Sequence, residues 1–284
     1  MPETPVLAVA QTDLFRPTGL SGHLLPAFCC KPFPNINITL NALLLAINNL
    51  GTRGLMMKMK FGWLNDNSVV ETNSIIIEPI ADFDNAISEV MNSSQHNGAW
   101  YYPPIVYKTD KLSPRVAASR FELPPTHCIF QINGNYDREF LEFIVVFFGW
   151  LHGLRLNPEN WGYLIKTPIK QGELVDFARP RHSDMKMLIE KAEVFWLNNK
   201  TNKMGNLMLG ALNWFSYTQS YEQIFERFIG QYSVFDTLHH IVNKLHPTTN
   251  KVTHAGCFEH VSNKLDLHYP SWINEITKIR NDLI

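Results

Sequence analysis

Charged residues are scarce in this chain, at 18% of the total, and the formal net charge is −1. That balance, with a pI near 6.8, demands neither a nucleic acid nor a membrane surface as partner. A local patch remains compatible with it. Cysteine is equally sparse: Cys29, Cys30, Cys128 and Cys257. Two are adjacent and two are isolated, which is neither a disulfide framework nor a zinc-ligand spacing. Reduced, mostly buried thiols in a cytoplasmic protein are the expectation. Long hydrophobic runs are missing. The most apolar stretch, residues 143–151, falls far short of the roughly 20 residues that span a bilayer, so a buried helix is expected there. No basic segment precedes an apolar one at the start of the sequence, so no secretory signal is expected. The glycines at 51, 54, 149 and 153 lack phosphate-loop spacing, and no Gly-x-Ser-x-Gly elbow occurs. There is no internal repeat and no low-complexity segment.

What is present is apolar mass. Hydrophobic residues make up 45% of 284, enough for one large or two ordinary domains with a sizeable core. Residues 1–178 read as a strand-rich domain. Residues 36–47 are rich in Ile and Leu. Residues 54–64 set Met57, Met59 and Phe61 against Lys58, Lys60 and Gly62, the alternation of a half-buried strand. Turn residues Asn65, Asp66 and Asn67 follow, and residues 68–80 read as a second strand neighbouring the first. A short helix suits 83–91. Residues 121–132 read as a strand interrupted by Pro124 and Pro125, 137–154 as a helix capped by Asp137, and 161–165 as a closing strand.

The character changes near 177–182. After Pro180 only Pro247 and Pro270 remain, and helical periodicity dominates. Ser183 or Asp184 is the expected cap of a helix with the stripe Met185, Leu188, Ile189, Ala192, Phe195 and Trp196. A second helix places Met204, Leu207, Met208, Ala211, Phe215 and Thr218 on one face. The longest has Phe225, Phe228, Tyr232, Phe235, Leu238, Val242 and Leu245 inward. A shorter helix over 254–265 has Phe258, Val261 and Leu265 inside. The last, from about Ser271, carries Trp272, Ile276, Ile279 and Leu283 on one face. Short connections between them predict an antiparallel bundle over 179–284. The fold class expected is therefore α+β, a strand-rich domain followed by an all-α bundle.

Three stretches of the bundle carry a resemblance. They are Ala211-Leu212-Asn213-Trp214-Phe215, then Glu226 through Leu238, and then Ile279-Arg280-Asn281-Asp282-Leu283-Ile284. In this order they resemble the HEPN superfamily, specifically the ApeA-like HEPN domains of antiphage proteins. The Arg280-Asn281 pair is similar to the opening of that family's signature, an Arg followed four to six residues later by His. The resemblance implies a metal-independent, cofactor-free endoribonuclease toxin of abortive infection, working on RNA as a homodimer through the helical domain. A phage-derived trigger would act at the N-terminal domain. It also implies roles: Arg280 and Asn281 at the scissile phosphate, with Asp236 as a supporting residue that orients them. Those residue types suit the chemistry. A guanidinium binds a phosphate bidentately and offsets its developing charge. An imidazole titrating near neutrality moves the proton of a 2′-hydroxyl. A His five residues past Arg280 would lie about 140° around a regular helix from it, so a partner subunit would supply the complement.

The sequence departs from the pattern twice. Asp236 stands where the related helix carries Glu, and the sequence ends one residue before the earliest position of the signature His. The expectation is a chain inactive in this form, either cut short of its signature or serving as a non-catalytic ligand-binding and dimerisation protein with a degenerate HEPN module. Seven of the eleven histidines lie beyond residue 181: His182, His239, His240, His246, His254, His260 and His268. His239 and His240 point about 100° apart on a helix, and His254 and His260 lack the i, i+4 spacing of a zinc helix, so no metal site is expected. Residues 179–284 carry a formal charge of +2 and the remainder −3, too slight an asymmetry to argue for RNA. Arg115 and Arg120 are expected in a solvated loop. An RNA-cleavage assay on this chain, beside one carried on through the following codons, should show cutting only in the longer chain. Strong cutting by both would remove the requirement for the signature His.

Overall fold

The computed structural model describes residues 58–106, 116–117, 120–132, 137–174, 180–247, 254–266, 274–275 and 277–279. The strands among the described residues are β1 (Lys58–Gly62), β2 (Val70–Glu71), β3 (Ile75–Pro79), β4 (His96–Asn97), β5 (Trp100–Tyr101), β6 (Ile105–Val106), β7 (Val116–Ala117), β8 (His127–Gln131), β9 (Asn157–Pro158) and β10 (Thr167–Pro168). Helix α1 (Phe83–Met91) follows β3, and α2 (Arg138–His152) follows β8. Then come α3 (His182–Asn199), α4 (Met204–Thr218), α5 (Ile224–Leu245) and α6 (His254–Leu265). The protein is α+β: antiparallel sheets followed by helices that pack together. None of the described helices is long and apolar enough to cross a membrane.

The main sheet runs β2-β3-β8-β1-β9, antiparallel throughout. Alternation in β1 works as its sequence predicts, with Met59 and Phe61 buried and Lys58 exposed. The expected pairing of β1 with the following strand does not occur. Strand β8 inserts between β1 and β3, with Met59 opposite Ile129 and Ile77 opposite that same residue on the other side. A central strand needs apolar cover on its inward positions, and Ile129 is fully buried while the segment after Pro125 supplies it. Residues 161–165 form no strand. Tyr163 makes only an isolated bridge to Phe121, and its hydroxyl donates to Gly62 O at 2.7 Å.

Helix α2 lies between this sheet and the later helices. Asp137 caps it, its Oδ1 accepting from Phe140 N at 3.1 Å. Gly153 ends it at φ 62°, the left-handed turn that glycine adopts without penalty, with Leu154 N donating to Gly149 O at 2.9 Å. Phe140, Leu141, Phe143, Ile144, Val145, Val146, Phe148 and Leu151 are all buried. They share one core with Phe61, Ile75, Ile77 and Ile129 of the sheet and with Met185, Ile189, Ala192, Trp196 and Leu212 of α3 and α4. The core is thus continuous across the boundary expected at 178. Residues 177–179 themselves lie outside the described set, as do 36–47 and 54–57.

Helix α3 buries the predicted stripe, yet Arg181 rather than Ser183 or Asp184 is its N-cap residue. Asp184 instead accepts from Arg181 Nε at 2.9 Å, inside the first turn where a carboxylate suits the helix dipole. A buried polar tie crosses from the sheet region to α3. Glu193, only 5% exposed, accepts from Thr72 Oγ1 at 2.6 Å. Burial pushes its carboxyl above the usual range. In α5 the inward face is rotated from the expected one. Val242 is buried as expected and Phe228, Tyr232, Phe235 and Leu238 are half-buried, but the fully buried positions are otherwise Gly230, Val234, His239 and Ile241, while Phe225 and Leu245 are exposed. The cause is the contact with α4: a Cβ on Gly230 would stand 1.9 Å from Thr218 Cγ2, so the bare backbone must face α4. The aromatic residues then turn toward α6, where Phe235 stacks on Phe258 with centroids 3.6 Å apart. Of the last helix's expected face, Ile279 is 49% exposed, and Trp272, Ile276 and Leu283 lie outside the described residues.

Two outcomes follow from this packing. Gly230→Ala would ordinarily strengthen a helix by about 1 kcal/mol. Here it should destabilise by roughly 1–3 kcal/mol from overpacking, and adding Thr218→Ser should recover most of the loss. Additive losses in denaturant melts of the double variant would refute the contact. The second concerns His127, fully buried and stacked on Phe61 at 5.6 Å, with its Nδ1 3.0 Å from Thr126 Oγ1. Burial pushes its pKa down from 6.5 to about 4, against a partly opposing pull from Asp66. A depressed folded-state pKa gives stability that is present above 6.5 and lost as pH falls toward 4. The loss is on the order of 3 kcal/mol. His127→Phe should flatten melting curves through that window, and an unchanged acid slope would count against the assignment.

Candidate functional site

Of the three residues singled out by the family resemblance, Asp236 is described, while Arg280 and Asn281 lie outside the described residues. Asp236 sits in the middle of α5, with its side chain half exposed. Its Oδ2 stands 3.6 Å from His240 Nε2, one turn along the same helix. That is an ion-pair distance rather than a hydrogen bond. The i, i+4 spacing is what brings the two together.

His239 takes the inward side of the same turn and is 9% exposed. Its ring centroid is 6.0 Å from that of His240 and 5.9 Å from that of His260, which comes across from α6. The Nε2 atoms of His239 and His260 are buried without hydrogen-bond partners among the described residues. Burial, reinforced by the two neighbouring imidazoles, pushes His239 below the usual histidine range, and Asp236 opposes the shift. A neutral imidazole is a proton acceptor at neutral pH. Cys257 borders the group. Burial and the Asp236 charge raise its pKa, so it is no thiolate nucleophile. Burial likewise pushes the Cys128 thiol up to about 11.

The arrangement places one carboxylate and three imidazoles at the α5–α6 contact, held by the Phe235–Phe258 stack beside it. Among the described residues no group of His, Cys, Asp and Glu is placed to hold a metal ion. The divergence of His239 and His240 is as the helical angle predicts. The approach of His260 is not legible in the sequence, since it depends on the register between two helices. The signal in the sequence was that His239 lies between Leu238 and the pair Ile241-Val242 on one helical turn. Arg120 is engaged locally, its guanidinium donating to Glu122 at 3.3 Å and to Asn160 O. Arg115 lies outside the described residues.

A second feature belongs to the sheet region. Between α1 and β10 lies an open cleft of about 390 Å³, with Trp63, Met91 and Ile169 as apolar wall and Asn65, His96 and Lys170 as polar lining. An apolar wall with a few polar groups is the composition of small-ligand sites. No protein-family model matches this chain, and no curated protein or solved structure matches it either.

Proposed function

We propose that this chain is a HEPN-type endoribonuclease of abortive-infection antiphage defence, with its helical region facing RNA and its sheet region acting as the sensor. The observation that carries the reading is Asp236. It is a half-exposed carboxylate in the middle of α5, the residue to which the resemblance gives the role of orienting the guanidinium. In this reading Arg280 grips the scissile phosphate, Asn281 positions it, and Asp236 orients the guanidinium. Two such halves meet in a homodimer. Apolar side chains left open on the helical region support an interface between copies: Ile224 is 83% exposed, Phe225 52% and Trp214 51%. The trigger would be a phage-derived ligand at the sheet region, and the cleft beside Trp63 supports that role.

The same cleft favours the second reading, a ligand-binding and dimerisation protein without catalysis. RNA binding separates the two. The chain should bind single-stranded RNA in the presence of EDTA, and Arg280→Ala should weaken binding at least tenfold, as expected for charge-assisted hydrogen bonds worth about 1.5–3 kcal/mol. Equal affinity of Arg280→Ala for RNA, or a strict monomer in light scattering at high concentration, would defeat the nuclease reading.

A further inference from the structure

The seam between the sheets and the helical region carries a guanidinium that pairs with no carboxylate among the described residues. Arg155 lies in the link from α2 to β9. Its Cζ stands 5.3 Å from the centroid of the Tyr163 ring and 4.6 Å from that of Tyr217 on α4. Its Nη1 is buried without a hydrogen-bond partner among the described residues. Burial pushes its pKa below the usual range, and the nearby phenols of Tyr163 and Tyr217 are neutral rings at neutral pH. Ring faces attract a cation by about 0.5–2 kcal/mol. Desolvating a charge costs several kcal/mol. Two tyrosine faces therefore leave the buried Nη1 of this half-buried guanidinium without a full acceptor.

One more polar atom nearby is unpartnered. Ser220, in the connection between α4 and α5, has a buried Oγ without a hydrogen-bond partner among the described residues. Two more cations reach the same connection. Arg227 Nη2 donates to Tyr221 O at 2.9 Å, and Lys166 Nζ pairs with Glu222 at 3.3 Å. Glu222 is thereby engaged by Lys166. Tyr217 and Tyr221 stand edge to face, with centroids 5.4 Å apart.

We propose that Arg155, Tyr217 and Tyr221 form an anion site that takes a phosphoryl group, either free in solution or carried by a nucleotide. A guanidinium presents a fork of N–H donors that phosphoryl oxygens accept in pairs. Phenolic hydroxyls add donors for the remaining oxygens, and tyrosine rings give a nucleobase a stacking surface. The site is distinct from Asp236. At 1.5 Å per residue, the start of α5 lies about 18 Å along the axis from that residue. Its occupant would tie α2's link to the α4–α5 connection, and so would stabilise the seam.

Thermal melting and calorimetric titration of the full chain test the site, first with inorganic phosphate against chloride at equal ionic strength, then with adenosine monophosphate. Phosphate should raise Tm saturably in the parent protein and leave Arg155→Met unmoved. Arg155→Lys keeps the charge without the fork and should bind at least tenfold more weakly. It carries the decision if Arg155→Met does not fold. Tenfold tighter binding of the nucleotide assigns the phosphoryl group to a nucleotide, and equal affinities assign it to free phosphate. Absence of a saturable rise in the parent protein, or an equal rise in the Arg155 variants, overturns the site. Neither result bears on Arg280, so this site and the nuclease reading fail separately.

Discussion

Helix α2 is apolar around almost its whole circumference, and it must be covered on both sides. Each large side chain it buries contributes about 1.5–3 kcal/mol. Eight such residues far outweigh any single polar contact in the molecule. The sheet covers one side through Phe61, Ile77 and Ile129. Helices α3 and α4 cover the other, with Trp196 stacked on Phe143 at 5.0 Å between centroids. The joining of sheet and helices is a consequence of that one requirement. Neither half could leave without exposing α2 to water.

Polar groups enter this apolar seam on strict terms. Glu193 is tolerated because Thr72 donates to it and burial favours its neutral form. His127 is tolerated as a neutral imidazole. Arg155 has neither remedy at its buried Nη1, since a guanidinium stays charged at any physiological pH and that atom has no hydrogen-bond partner among the described residues. The α5–α6 contact follows the same logic at lower cost. His239 is inward and favoured neutral, while His240 and Asp236 remain toward water, where an ion pair is worth little to stability. Groups that contribute little to stability are the ones whose placement asks for a functional explanation.

The comparison of sequence with structure turns on particular elements. The strand β1, the helices α1, α2, α3 and α4, the Asp137 cap and the inert thiols of Cys128 and Cys257 were legible, because each depends on periodicity or on near neighbours in the chain. The neighbour of β1 was not legible, since strand order depends on which distant segment best covers a buried face. The orientation of α5 was misjudged because its large aromatic residues suggested an inward face. A single glycine, packed on Thr218, sets that face instead. In the candidate site, Asp236 and its own-helix neighbours could be placed from spacing alone. His260 could not, and neither could Arg155 or the tyrosines that enclose it.

Local periodicity and composition establish the α+β class, the succession of a strand-bearing region by helices, and the apolar character of α2. Only the tertiary structure decided which face of α5 turns inward, which strand lies beside β1, and which polar groups lose their water. Those outcomes depend on contacts between segments far apart in the chain, where a methyl group's width or a missing carboxylate governs the free energy and leaves no trace in spacing.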